Sequence, residues 1–139
     1  MSICVVDCSV AVKWYVPEDH AEFASRLLDG SHELHAPDLF FPEFGNTLWK
    51  KHRLGELTQP ETKSILRALW AVPIEIHSSQ LLLEAAVELA VHTVRSVYDC
   101  LYVALAMLLD CPLVTADERL VGALRRSGLS IDIRHVTQY

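Results

Sequence analysis

Short β-branched runs alternate with helical segments along the whole chain, and this alternation constrains the fold more than any other feature. Ile3-Cys4-Val5-Val6 has no polar alternation, so it reads as a strand buried on both faces. Further strands are expected at 33–36, 73–77, 112–115 and 131–136. Helical segments are expected at 9–15, 19–28, 41–52, 58–69, 79–92, 96–109 and 117–126. Pro17, Gly30 and Gly128 supply stops, and Thr58 with Glu61 has capping-box spacing. Strands that alternate with helices build a mostly parallel sheet covered by helices, an α/β fold. Two helices follow one another between the second and third strands, joined by Arg53-Leu54-Gly55-Glu56, and are expected to project as a helical hairpin.

With 139 residues and 51% hydrophobic content, the chain has room for one domain, spanning 1–139, with a real core. A formal net charge of -6 argues against gripping nucleic acid by bulk charge. It leaves room for an acidic site at which bound cations supply the positive charge. Cys4, Cys8, Cys100 and Cys111 form no CxxC pair and no zinc-finger spacing, so they read as reduced, small core residues. No signal peptide and no apolar run long enough to cross a bilayer is visible, so the expectation is a cytoplasmic protein without membrane contact.

Four acids fall at corresponding places in this alternation. Asp7 follows the first strand and Asp117 the fourth. Glu43 lies in the first turn of the helix after the second strand, and Asp99 in the first turn of the helix before the fourth. In a parallel sheet the carboxyl ends of the strands share one edge, which is where ligands bind. Each acid singly has a structural explanation, as an N-cap or as an acid favoured by a helix dipole. Asp99 is the hardest to dismiss. Its helix is apolar almost all round, hence buried, and a carboxylate there must be paired or bound to metal. Converging carboxylates raise one another's pKa, and a divalent cation relieves that repulsion. An all-oxygen donor set suits Mg²⁺ or Mn²⁺, and phosphodiester hydrolysis is the natural chemistry.

Four segments carry a resemblance to a known family. They are Val5-Val6-Asp7-Cys8-Ser9, Pro42-Glu43-Phe44-Gly45-Asn46-Thr47-Leu48, Tyr98-Asp99-Cys100-Leu101-Tyr102-Val103-Ala104-Leu105-Ala106 and Leu113-Val114-Thr115-Ala116-Asp117-Glu118-Arg119-Leu120. In order and spacing they resemble the acidic motifs of the PIN-domain ribonucleases, within them the VapC-type toxins of toxin–antitoxin pairs. Cys100 stands where that family usually has Ala. The resemblance implies a three-layer α/β/α fold and a Mg²⁺- or Mn²⁺-dependent endoribonuclease that leaves a 5′-phosphate and a 3′-hydroxyl. Asp7 and Asp99 would be the leading metal ligands. Glu43 and Asp117 would complete the catalytic site, and Ser9, Asn46 and Thr115 would support it. It also implies an RNA substrate, inhibition by a cognate VapB-like antitoxin laid across the cleft, a homodimer and a toxin–antitoxin hetero-oligomer.

Lys13, Lys50, Lys51, Arg53, Arg95 and Arg119 are candidates to contact RNA phosphates. Trp49 and Trp70 fall on the hairpin, as its core or as an antitoxin groove. The seven histidines make no HxH or HExxH pair and read as surface or satisfied polar residues. Asp38 reads as a competing N-cap for the Glu43 helix. A haloacid-dehalogenase reading lacks its second Asp, because Ser9 occupies that place. A Cys phosphatase reading lacks its Arg, and P-loop and dinucleotide readings lack their glycines. A receiver domain would need an Asp after the third strand, where His77-Ser78 stands. An RNA-binding or scaffold module without catalysis remains the alternative.

Overall fold

The computed structural model describes residues 1–139. Five strands form one sheet: β1 (Ser2–Val6), β2 (His32–Pro37), β3 (Ile74–His77), β4 (Leu113–Thr115) and β5 (Ile133–His135). Their order is β3-β2-β1-β4-β5, and every pairing is parallel. Seven helices connect and cover them: α1 (Cys8–Ala11), α2 (Ala21–Ser25), α3 (Phe40–Arg53), α4 (Gln59–Trp70), α5 (Ser79–Thr93), α6 (Val97–Leu109) and α7 (Glu118–Arg126). The expected α/β architecture is present, including the five strands and the consecutive helices α3 and α4.

The sheet carries a core on each face. Cys4, Val6, Leu34 and Val114 pack with Val10, Ala24 and Leu27 on one side. Val5, Leu113 and Ile133 belong to a larger cluster containing the α6 residues 100–106. The layers are therefore helix, sheet and helix. Burial on both faces explains why β1 reads Cys-Val-Val without alternation. Residues 100–106 of α6 are all buried, as a helix without a polar face must be.

Two expected helices are shorter than the apolar pattern suggested. The 19–28 segment is regular α-helix only at Ala21–Ser25, with a 3₁₀ turn at Arg26–Leu28, and His20 before it is left-handed with φ 67°. The 9–15 segment divides into α1 and a 3₁₀ turn at Val12–Trp14. The α3–α4 connector turns at Gly55, whose φ of 78° suits a residue without Cβ. Thr58 and Glu61 form the capping box of α4 reciprocally. Asp38 does not cap α3. Its carboxylate accepts hydrogen bonds from the backbone and hydroxyl of Ser79 and so secures the start of α5.

The strand order fixes where a ligand fits. From β1 the chain moves outward to β2 and β3, then returns to the other side of β1 for β4 and β5. The direction of winding reverses between β1 and β4. Crevices open at the carboxyl ends of strands at such a switch point.

Candidate active site

A cleft of about 480 Å³ opens at that switch point. Asp7, Glu43, Asp99 and Asp117 all line it, contributed by the end of β1, by α3, by α6 and by the β4–α7 turn. Ser9 and Asn46 also line it, Asn46 lying one helical turn beyond Glu43. Thr115 is fully buried at the end of β4 and reaches the same cluster.

Asp7 continues directly from β1, and its N–H donates to the Val114 carbonyl at 3.0 Å. It precedes α1 but makes no side-chain cap bond. Its Oδ2 instead accepts the Thr115 hydroxyl at 2.7 Å and the Ser9 hydroxyl at 3.1 Å. The Ser9 oxygen in turn accepts the Ala116 N–H at 3.1 Å, and Thr115 Oγ1 accepts the Asp117 N–H at 3.0 Å. Two hydroxyls thereby tie the ends of β1 and β4 together and hold one oxygen of Asp7.

Each of the other acids is likewise held by one oxygen. Tyr102 donates its hydroxyl to Glu43 Oε1 at 2.6 Å. Asp117 Oδ1 caps α7 by accepting the N–H groups of Arg119 and Leu120. Asp99 does not complete a capping box with Ser96. Ser96 does cap α6 by accepting the Asp99 N–H, but the Asp99 carboxylate turns to Arg95, whose Nη2 lies 2.9 Å from Oδ2. The same Nη2 lies 3.7 Å from Asp117 Oδ2. The hydrogen bonds engage one oxygen of each carboxylate, and the second oxygen of Asp117 faces Arg95 in an ion pair.

The electrostatics follow from burial and like charge. Burial pushes the Asp7 carboxyl above the usual range against the opposing hydrogen bonds of Thr115 and Ser9, and Asp99 adds to the rise. Burial also raises Glu43, with Asp7 and Asp99 contributing and the Tyr102 hydroxyl opposing. Burial, together with the Asp7 and Glu43 carboxylates, pushes the Tyr102 phenol far up, so it stays a donor. The cluster therefore carries more negative charge than its surroundings favour. An all-oxygen cradle of this kind suits a hard divalent cation. The acids are spread along the cleft with Arg95 between two of them, whereas the group already drawn within 4.8 Å is elsewhere, at His35, Glu75 and His77.

Three of the basic residues near the cleft are paired with acids. Arg95 pairs with the site acids rather than projecting toward solvent. Lys13 and Lys51 line the cleft but both pair with Glu18, at 3.2 and 2.7 Å. Burial pushes the Glu18 carboxyl up, but Lys51 and Lys13 prevail and hold it below the usual range. Lys50 also lines the cleft and makes no ion pair. Arg53 stacks over Trp49, 5.1 Å from the ring centroid. Sequence reasoning missed Glu18, Tyr102 and the Arg95 pairing. Tyr102 had a readable signal, since a hydroxyl on an otherwise apolar buried helix needs a partner.

A parallel five-stranded sheet with four acids at its switch point defines a class of α/β proteins with an acidic cleft at the carboxyl ends of its strands. The PIN domain profile matches residues 4–123, and the chain belongs to the PIN domain family. Ribonuclease VapC3 of Pyrobaculum aerophilum is 39% identical over 84% of this chain and 90% of its own length. The crystal structure of VapC20 of Mycobacterium tuberculosis, described as a sarcin–ricin loop cleaving toxin, aligns with a TM-score of 0.67 at 17% identity, covering 86% of this chain and 94% of that one. That of VapBC2 from Rickettsia felis, bound to a DNA fragment from its promoter, aligns with a TM-score of 0.66 at 13% identity, covering 96% and 98%.

Proposed function

We propose that the chain is a divalent-cation-dependent endoribonuclease, the toxin of a VapBC-type pair. One observation carries the reading: four carboxylates from four separate elements line a single cleft in a chain 39% identical to a named ribonuclease. Asp7 and Asp99 are the leading ligands for Mg²⁺ or Mn²⁺, and Glu43 and Asp117 complete the set directly or through water. Ser9 and Thr115 orient Asp7, and Tyr102 orients Glu43. Asn46 offers an amide to water or RNA from the α3 wall. A bound cation would polarise the phosphodiester, activate water and neutralise the leaving oxygen. The unpaired Lys50 stands ready for a backbone phosphate. The products would carry a 5′-phosphate and a 3′-hydroxyl.

The antitoxin follows from the arm and the acids together. Trp49, Leu54 and Trp70 are exposed on α3, its connector and α4, an apolar surface suited to a partner segment. Arg95 already bridges two site acids, and a basic antitoxin side chain would pair with the others in the same way and keep the cation out. Leu83, Val87, Met107 and Leu108 are exposed on α5 and α6 and suit homodimerisation. The four cysteines are unbridged, in keeping with a cytoplasmic protein. No helix is long and apolar enough to cross a membrane.

Brief expression followed by sequencing of new RNA 5′ ends tests the reading. Discrete phosphorylated ends are expected with the natural sequence, and Asp99→Asn should reduce them by more than about a hundredfold. An RNA-bound protein that never cuts would replace this reading with the scaffold alternative.

A further inference from the structure

A second group of ligating side chains lies away from the acidic cleft, across strands β2 and β3. Register places His35 of β2 opposite Glu75 of β3, and His77 opposite Pro37. Residues two apart on a strand share a face, so Glu33, His35, Glu75 and His77 all stand on one side of the sheet. His35 is buried, His77 half-buried and Glu75 exposed. One ligand atom from each of His35, Glu75 and His77 lies within 4.8 Å of the others.

The orientation of the buried ring is already set. His35 Nε2 is 2.8 Å from Glu33 Oε1. A carboxylate only accepts, so Nε2 carries the proton and Nδ1 of the neutral ring presents its lone pair. That lone pair faces His77 Nε2 at 2.8 Å and Glu75 Oε2 at 3.7 Å. A histidine with one nitrogen donating to a carboxylate and the other aimed at a cation is the usual supporting arrangement of metal-ligating histidines. Without a cation, His77 Nε2–H donates to His35. A shift of its proton to Nδ1 turns the same nitrogen into a ligand. Zinc–nitrogen bonds of about 2.0–2.1 Å place two tetrahedral ligands about 3.3 Å apart. The rings therefore need to part by only about half an ångström.

We infer that His35, Glu75 and His77 form a site for a zinc-class divalent cation, which ties edge strand β3 to β2. Two imidazoles and one carboxylate favour such an ion over Mg²⁺, which keeps to oxygen. The exposed Glu75 provides an entry path, and three protein ligands leave one position for water. The site has a structural use. β3 is four residues long, lies at the sheet edge and brings the chain back from the α3–α4 arm. The inference is independent of the nuclease reading, because it shares no residue with the cleft.

Titration calorimetry on the metal-stripped chain with ZnCl₂, in the absence and presence of excess MgCl₂, tests it. With excess Mg²⁺ occupying the acidic cleft, one zinc per chain is expected, accompanied by a higher melting temperature. Glu75→Gln and His77→Gln, both at accessible positions, should each weaken zinc binding at least about tenfold. Asp99→Asn should leave it intact. Substituted Co²⁺ should give a tetrahedral visible spectrum that His77→Gln removes. No zinc uptake, zinc binding unchanged in both β3 variants, or zinc binding lost in Asp99→Asn would each overturn the inference.

Discussion

The hydroxyl of Tyr102 donates to Oε1 of Glu43 at 2.6 Å, joining two helices whose contacting residues are 59 positions apart. This bond opposes the burial that raises Glu43. Tyr102→Phe removes it and so raises the Glu43 carboxyl further. A carboxylate binds a cation only when ionised, so the acidic limb of the pH–rate profile should move to higher pH. The variant should recover activity as pH rises, at a stability cost of about 1–3 kcal/mol. An unshifted profile would show that Glu43 does not need its partner.

Arg95 lies 2.9 Å from Asp99 and 3.7 Å from Asp117, so a cation entering the cleft competes with its guanidinium. Arg95→Gln should tighten Mn²⁺ binding several-fold by calorimetry. Weaker binding would instead make Arg95 a residue that holds the acids in place.

Much of the fold was legible because burial on both faces writes itself into composition. β1 lacks polar alternation and α6 lacks a polar face, and both are central. That the four acids line one cleft was legible because strand ends in a parallel sheet share one edge. Partnerships across the chain were not. Tyr102 meets Glu43 through helix packing, and Glu18 meets Lys51 from the loop before α2, and no local spacing encodes either pair. His35, Glu75 and His77 meet through strand register, which is why searching for adjacent histidines passed over them. The sheltered carboxylate of Asp7 also looked like an ordinary helix cap in sequence, yet its hydrogen bonds go to Ser9 and Thr115.

Asp7 and Glu43 are both raised, chiefly by burial. For a carboxyl raised on folding, the native state holds its proton more tightly, so stability falls as pH climbs from the unfolded value through the folded one. Metal-free protein should therefore lose melting temperature over that range and stay lower at neutral pH. Asp7→Asn should abolish part of the loss, as should added Mg²⁺ or Mn²⁺ in the unaltered chain. Identical melting curves for Asp7→Asn and the unaltered protein at every pH would contradict the electrostatic picture.

Glu18 neutralises Lys13 and Lys51 at the cleft wall. Glu18→Gln should release Lys13 toward an RNA backbone and leave Lys51 with Glu56 as its remaining partner. Binding of single-stranded RNA by a cleavage-deficient variant should tighten. Its slope of log affinity against log salt should steepen by roughly 0.7 for each phosphate gained. An unchanged slope would place the RNA path elsewhere.

The central claim is that Asp7, Glu43, Asp99 and Asp117 together hold a catalytic divalent cation. Anomalous diffraction from crystals soaked in Mn²⁺ tests it most directly. The expected result is a peak at about 2.0–2.3 Å from oxygens of Asp7 and Asp99, absent in Asp99→Asn. A cleft without a peak, at Mn²⁺ concentrations that support RNA cleavage, would contradict it.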